Sequence, residues 1–317
     1  MRNRFRATII FFISALLYCF LPECTKAPIA PPPTTGTGNT ITQVIASFTN
    51  TKLFNDLINK TGLDSTLSGT GPFTVFIATD SAFDLLGLDS MVINNTPDSF
   101  LFRLGSYAII GGLSLGSANL PTGPDAKIIT AGGDSIYVSN GINGIFVNGI
   151  PVTQPNVPAS NGTINGILSP LVPPNGTLLQ TFQLDTIYSY MSAAIARASQ
   201  GSTNLDSILT YSPFTVFVPT NSAFQAAGYS SINDINSADP DTLANLVANH
   251  ILPTRLFSSD FTQTNEPVNL NGSTLDILPG AVIEIKGNGN TGFVNINTTN
   301  IMASNGVIHI VSGLLLP

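Results

Sequence analysis

Phe214-Thr215-Val216-Phe217-Val218 is apolar on both alternations of an extended chain, the pattern of a central strand covered on both faces. Thr220-Asn221 follows and offers an N-cap for a helix opening at Ser222-Ala223-Phe224. Further on, Asp239-Pro240-Asp241 marks another helix start, with Asp as the cap and Pro in the first turn. Leu243, Leu246, Val247, His250 and Ile251 then recur at helical spacing and predict one buried stripe. Beyond the stripe the pattern becomes strand-like over 275–278, 281–286 and 293–296, with Gly and Asn turns between. The same order occurs earlier: a strand at Phe73-Thr74-Val75-Phe76-Ile77, a cap at Thr79-Asp80, and a stripe of Leu101, Leu104, Gly105, Ala108 and Ile109. Helices gather early and strands late in each stretch, so the predicted class is α+β, not alternating βαβ.

The two stretches are copies. Gly71-Pro72-Phe73-Thr74-Val75-Phe76-Ile77-Ala78-Thr79-Asp80-Ser81-Ala82-Phe83 returns 141 residues later as Ser212-Pro213-Phe214-Thr215-Val216-Phe217-Val218-Pro219-Thr220-Asn221-Ser222-Ala223-Phe224. Ala159-Ser160-Asn161-Gly162-Thr163-Ile164-Asn165 returns 144 residues later as Ala303-Ser304-Asn305-Gly306-Val307-Ile308-His309. A period this long is the size of a domain and far exceeds a solenoid repeat. The expected organisation is a signal segment at 1–23, a Pro-rich linker at 24–40, and domains at 41–174 and 178–317, joined through Pro173-Pro174-Asn175-Gly176-Thr177.

Arg2, Arg4 and Arg6 precede an apolar run from Ala7 to Leu21 that ends at Pro22, the pattern of an export signal. The only cysteines are Cys19, inside the run, and Cys24, directly after it, so a mature chain beginning at Cys24 holds one thiol and no internal disulfide. Leu21-Pro22-Glu23-Cys24 resembles the lipobox of bacterial lipoproteins, which implies lipidation of Cys24 and a cell-envelope location, on the outer membrane or cell surface. The alternative is ordinary secretion with a leftover thiol.

Loss of 1–23 removes three of 11 basic and one of 18 acidic residues, leaving 8 against 17 and a formal net charge of −9. That balance argues against nucleic acid as a partner and against direct adsorption to anionic lipid. Only 9% of residues are charged, so the surface is expected to be built from Asn, Thr, Ser and Gly.

The repeated strand-and-cap phrase, the helix-end Asn249-His250-Ile251-Leu252, and the close beginning at Ala303-Ser304-Asn305-Gly306 resemble the fasciclin (FAS1) domain, twice over, from about residue 41 to 317. The second copy has Asn249 where the family has Tyr before its His; the first has Tyr107 followed by Ala108. The resemblance implies two tandem domains, each a wedge or sandwich of strands with a layer of helices. It also implies non-enzymatic adhesion, or interaction with extracellular matrix, without cofactor or metal. Some animal members carry an integrin-binding Asp-Ile-Met; here Asn300-Ile301-Met302 lacks the acid and Pro155-Asn156-Val157 offers none, so that site is not carried over and Ile301 and Met302 read as strand core.

Other motifs point elsewhere. Gly112-Leu113-Ser114-Leu115-Gly116 fits the nucleophile elbow of α/β-hydrolases, which needs a strand before the Ser and a helix after it; the pattern here predicts a helix before and none after. Gly287-Asn288-Gly289-Asn290-Thr291-Gly292 fits a dinucleotide fingerprint, but strand pattern follows where a helix is required, so it reads as a hairpin loop. His250 and His309, matched by Ala108 and Asn165 in the first copy, read as buried hydrogen-bonding groups, and no metal-ligand spacing accompanies them. Asn161-Gly162 and Asn305-Gly306 read as turns able to take positive φ. Triplets beginning at Asp64, Asp80, Asp89, Asp134, Asp185, Asp206 and Asp241 resemble the O-glycosylation sequon of Bacteroidetes-type exported proteins, with helix capping as the other reading. The expected partner is an extracellular protein or polysaccharide. A glycan-binding accessory module of an envelope polysaccharide-capturing assembly is the alternative, with Tyr137 and Tyr229 as its candidate platforms in a chain lacking Trp.

Overall fold

The computed structural model describes residues 38–317 except 212 and 265, so Cys24, the signal segment and most of the linker lie outside the described residues. The described chain divides into two compact units that part between Pro173 and Pro174.

The first unit opens with helices α1 (Ile41–Ser47), α2 (Lys52–Thr61) and α3 (Leu63–Leu67). In α2 the residues Leu53, Phe54, Leu57 and Ile58 form the buried stripe, and Gly62 ends the helix in a left-handed conformation at φ 74°. Strand β1 (Phe73–Ile77) follows, then α4 (Asp80–Leu85), α5 (Ser90–Asn95), α6 (Asp98–Tyr107) and β2 (Ile109–Gly111). The remainder is β3 (Gly123–Ile129), β4 (Ser135–Gly141), β5 (Gly144–Val147), β6 (Ile150–Ala159) and β7 (Gly162–Ile167). These strands form one sheet in the order β2-β1-β7-β6-β5-β4-β3, in which only β1 and β7 run parallel.

The second unit repeats the scheme with α7 (Leu178–Leu184), α8 (Ser189–Ala198), α9 (Leu205–Ile208), β8 (Phe214–Pro219), α10 (Asn221–Ala226), α11 (Ile232–Ser237) and α12 (Pro240–Ala248). Strands β9 (Ile251–Leu252), β10 (Asp276–Leu278), β11 (Glu284–Lys286), β12 (Val294–Ala303) and β13 (Gly306–Val311) complete it, in the sheet order β10-β11-β12-β13-β8-β9. The parallel pair has the same register in both units, Phe73 opposite Gly162 and Phe214 opposite Gly306. Each unit is therefore α+β, and the paired phrases are the two central parallel strands.

The double apolar alternation of β8 has a direct structural cause. Phe214, Val216 and Val218 pack with Leu178, Phe182 and Leu243 of the helical layer, whereas Phe217 packs with Phe261, Leu275 and Ile285 on the opposite face. The α12 stripe holds through Val247, but the helix stops at Ala248 and His250 lies just beyond it. The reason is the sheet: the Phe217 N–H donates to the His250 carbonyl at 2.9 Å, and Ile251 then pairs with Val216. The expected strand over 281–286 is shorter than its pattern, because a bend keeps Ala281 and Val282 out of the ladder.

Candidate functional site

The residues that carry candidate chemistry converge on the closing strand of each sheet and the loop laid across it. In the second unit His309 on β13 is completely buried, with Phe217 stacked on it at 5.5 Å and Phe261 tilted against it at 5.1 Å between ring centroids. Its Nδ1 accepts from the Asn300 N–H at 3.4 Å, so the ring proton sits on Nε2, which donates to the Leu256 carbonyl at 3.0 Å. Asn165 occupies the matching place in the first unit. Its Oδ1 accepts from the Asn156 N–H at 3.1 Å and its Nδ2 donates to the Leu115 carbonyl at 3.0 Å. The amide and the neutral imidazole thus make the same two bonds, one given and one taken.

Asn156 and Asn300 match each other as well. Both lie where β6 and β12 slip register, in the left-handed region at φ 68° and 63°, which Asn tolerates better than most residues. Asn300 Oδ1 accepts from the Ser258 N–H at 2.8 Å and its Nδ2 reaches Ser258 Oγ at 2.7 Å. Asn156 does the same to Ser117 at 2.6 and 2.7 Å. Thr74 and Thr215 clamp the same loops: Thr74 Oγ1 donates to the Leu113 carbonyl and accepts from the Leu115 N–H, as Thr215 does with Thr254 and Leu256. Asn300 therefore stands in the acid's place as a structural tie. Met302 is buried and Ile301 partly so, both within β12.

His250 is buried at 1% exposure and bridges the other end of the layer. Its Nε2 accepts from the Leu315 N–H at 2.9 Å, which puts the proton on Nδ1 facing the Leu246 carbonyl at 2.8 Å. Ala108 cannot make this bridge. A cavity of about 10 Å³ lies in the first unit, lined in part by Ala108, Leu104 and Leu171, the counterparts of His250, Leu246 and Leu315. Burial disfavours the charged imidazole at both histidines and lowers each pKa from 6.5 to about 4, outweighing the bonds to Leu246 and Leu256 that raise it.

Ser114 is exposed, and its Oγ lies 2.8 Å from Thr163 Oγ1. The expectation of a preceding helix needs correction, since β2 comes immediately before this loop. Only a turn follows, so the strand-to-helix geometry of a nucleophile elbow is missing. Both histidines lie in the other unit. The Gly287–Gly292 stretch connects antiparallel β11 and β12, with Gly287 N–H bound to Asn290 Oδ1 at 2.9 Å, and no helix opens there.

The Asn-Gly pairs do sit at the turns before β7 and β13, but the positive φ expected there holds only for Gly162, at 159° and close to extended backbone, and not for Asn161, Asn305 or Gly306. Asn161 instead accepts from Ile41 N–H and donates to the Leu67 and Gly69 carbonyls, and Asn305 accepts from Leu178 N–H and donates to the Leu209 carbonyl, so each ties the opening helix to the closing strand. Gly162 and Gly306 are glycine because a Cβ would run into the Phe73 or Phe214 carbonyl.

Among the Asp triplets, Asp80, Asp89 and Asp185 accept backbone N–H groups from Leu53, Val92 and Ile187. Asp241 holds Ser202 through both its N–H and Oγ, and Asp134 pairs with Arg103 at 3.1 Å. Tyr137 is buried, and Tyr229 packs edge-on against Phe224 at 6.2 Å, so neither ring stands out as a platform. Sequence reasoning missed Lys60, whose Nζ donates to the carbonyls of Ile93, Asn94 and Thr96 at 2.9, 2.7 and 3.1 Å. Arg197 donates to the Ala238 carbonyl at 2.9 Å in the second unit, and the available signal was this recurring cation before each short helix.

Among the described residues no group of His, Cys, Asp and Glu could hold a metal ion, and no helix is long and apolar enough to cross a membrane.

The sequence matches the family profile described as Fasciclin domain at residues 49–173 and again at 188–317. It is similar to transforming growth factor-beta-induced protein ig-h3 of Sus scrofa, 27% identical over 281 residues, covering 86% of this chain and 38% of that protein. It is 26% identical over 302 residues to fasciclin-like arabinogalactan protein CTB11 of Cercospora beticola, covering 89% of this chain and 77% of that protein. Periostin of Homo sapiens is 27% identical over 284 residues, covering 86% of this chain and 31% of that protein. The chain thus spans well under half of ig-h3 and of periostin. A solved FAS1 domain pair from the insect cell adhesion molecule fasciclin I covers 84% of this chain and 96% of that chain, at 18% identity and a TM-score of 0.41.

Proposed function

Because the chain belongs to the fasciclin domain family, we propose that it is a non-enzymatic adhesion or matrix-interaction protein held at the cell envelope by acyl chains on Cys24. One observation carries the reading: the groups that sequence offers for chemistry make internal hydrogen bonds. His250, His309, Asn300 and the Asn of each repeated turn tie strand to loop or helix. A duplicated scaffold with its polar groups so engaged presents a surface for binding, and its low charge favours an extended neutral contact with an extracellular protein or polysaccharide. The lipid anchor follows from the lipobox-like Leu21-Pro22-Glu23-Cys24 and needs its own test.

Beads coated with the full chain are expected to retain a surface protein or polysaccharide from intact cells, and excess soluble chain should compete it away. Retention no greater than on beads coated with an unrelated acidic protein would refute the adhesive role. Fatty-acid analogue labelling that persists in Cys24→Ala would refute the anchor separately.

A further inference from the structure

The chain contains nine Asn-Gly pairs, at Asn140, Asn143, Asn148, Asn161, Asn165, Asn175, Asn271, Asn288 and Asn305. Such a pair is inherently reactive, because the glycine nitrogen can attack the asparagine Cγ without hindrance from a side chain of its own. The reaction requires the side-chain amide to turn and the following N–H to be unengaged. Folding removes one or both conditions at most of the pairs. Asn148 accepts from Tyr137 N–H at 2.8 Å and donates to Tyr107 Oη at 2.9 Å. Asn161, Asn165 and Asn305 are buried and bound through both amide atoms. Asn140 donates to the Ser117 and Leu120 carbonyls, and Asn271 to the Asn245 carbonyl at 2.6 Å. At Asn288 the nucleophile is engaged, since Gly289 N–H donates to the Leu316 carbonyl at 3.1 Å. Asn143 has an interaction of its own in the β4–β5 hairpin.

Asn175 differs from all of these. It is exposed, its side chain makes no hydrogen bond among the described residues, and the Gly176 N–H has no acceptor there either. Its surroundings are nonetheless held: the Gly176 carbonyl accepts from Ser304 N–H at 2.8 Å, and Thr177 caps α7. We propose that Asn175, in the segment that leads from the first unit into the second, is a site of self-catalysed deamidation. The Gly176 nitrogen bonds to Asn175 Cγ and gives up its proton, the Cγ–Nδ2 bond breaks, and ammonia leaves. Water then adds to either carbonyl of the resulting succinimide and opens it to aspartate or isoaspartate. Each conversion adds one negative charge ahead of α7, and the isoaspartate product also lengthens the backbone between Pro174 and Gly176. This modification does not depend on the adhesive reading.

The test incubates the purified full chain in mildly alkaline buffer, with and without denaturant, and maps the one-dalton mass gain peptide by peptide. In the native chain the peptide holding Asn175 is expected to convert at least roughly tenfold faster than those holding Asn148, Asn161, Asn165 or Asn305, which react only through local opening. Denaturant should bring the rates together, and Asn175→Gln should abolish the fast component without moving Tm. Native rates that are equal across the pairs would overturn the proposal, as would a fast component that survives in Asn175→Gln.

Discussion

Acid should loosen the second unit ahead of the first, through two imidazoles that the first unit lacks. His250 and His309 are buried and neutral with opposite tautomers, and each takes an N–H on the nitrogen that a proton would occupy. Protonation would set N–H against N–H from Leu315 and Asn300 without water to compensate. Both folded-state pKa values lie near 4, below the ordinary 6.5. In the window between those values the unfolded chain binds more protons, so the stabilisation is complete above pH 6.5 and declines as pH falls towards 4. From the two pKa values the loss at pH 5 is about 2 kcal/mol for each histidine, or about 4 kcal/mol together. Asp185 and Asp260, whose pKa values burial raises, act in the opposite sense and gain stability as pH falls, trimming the loss at the acid end. Hydrogen exchange read by mass spectrometry on the full chain at neutral pH and at pH near 5 separates the units. Protection should fall in peptides of 174–317 while those of 38–173 change little. His309→Asn copies the Asn165 arrangement, keeps both bonds and cannot titrate, so it should remove about half of the acid-induced loss. Equal loss of protection in both units, or an acid response in His309→Asn as large as in the parent, would refute the reasoning.

Gly162→Ala and Gly306→Ala should each destabilise their own unit by about 2 kcal/mol or more, because the methyl meets a strand carbonyl; denaturant midpoints resolved by unit would show it. Lys60→Met keeps the aliphatic stem but leaves the end of α5 without its donor, and should lower the stability of the first unit by about 1–3 kcal/mol in urea titration. Asn300→Ala removes the Ser258 tie and forces a left-handed backbone on alanine, a cost of about 1–3 kcal/mol that thermal melts would register, with faster exchange in the loop around Ser258.

The capped helix starts and the doubly apolar strand were enough for the α+β class and the duplicated phrases for the tandem organisation, since a strand covered on both faces and a capped amphipathic helix are local patterns. The fasciclin family came from the resemblance of those phrases, which the family match bears out. Local pattern could not decide where α12 ends. The periodicity runs on through His250, yet the helix yields at Ala248 because the Phe217 N–H needs the His250 carbonyl, a partner 33 positions away that no window contains. The turn glycines illustrate the same limit: their recurrence was visible, but positive φ does not account for both, since Gly306 lacks it, and the close approach of Phe73 or Phe214 exists only once β1 lies beside β7 and β8 beside β13. Likewise the sequence marked His309, opposite Asn165, as a buried hydrogen-bonding group, but only the fold shows that both residues give one hydrogen bond and take another from matching partners. A residue's type is written in the chain, but what it must satisfy is fixed by the groups that folding brings against it.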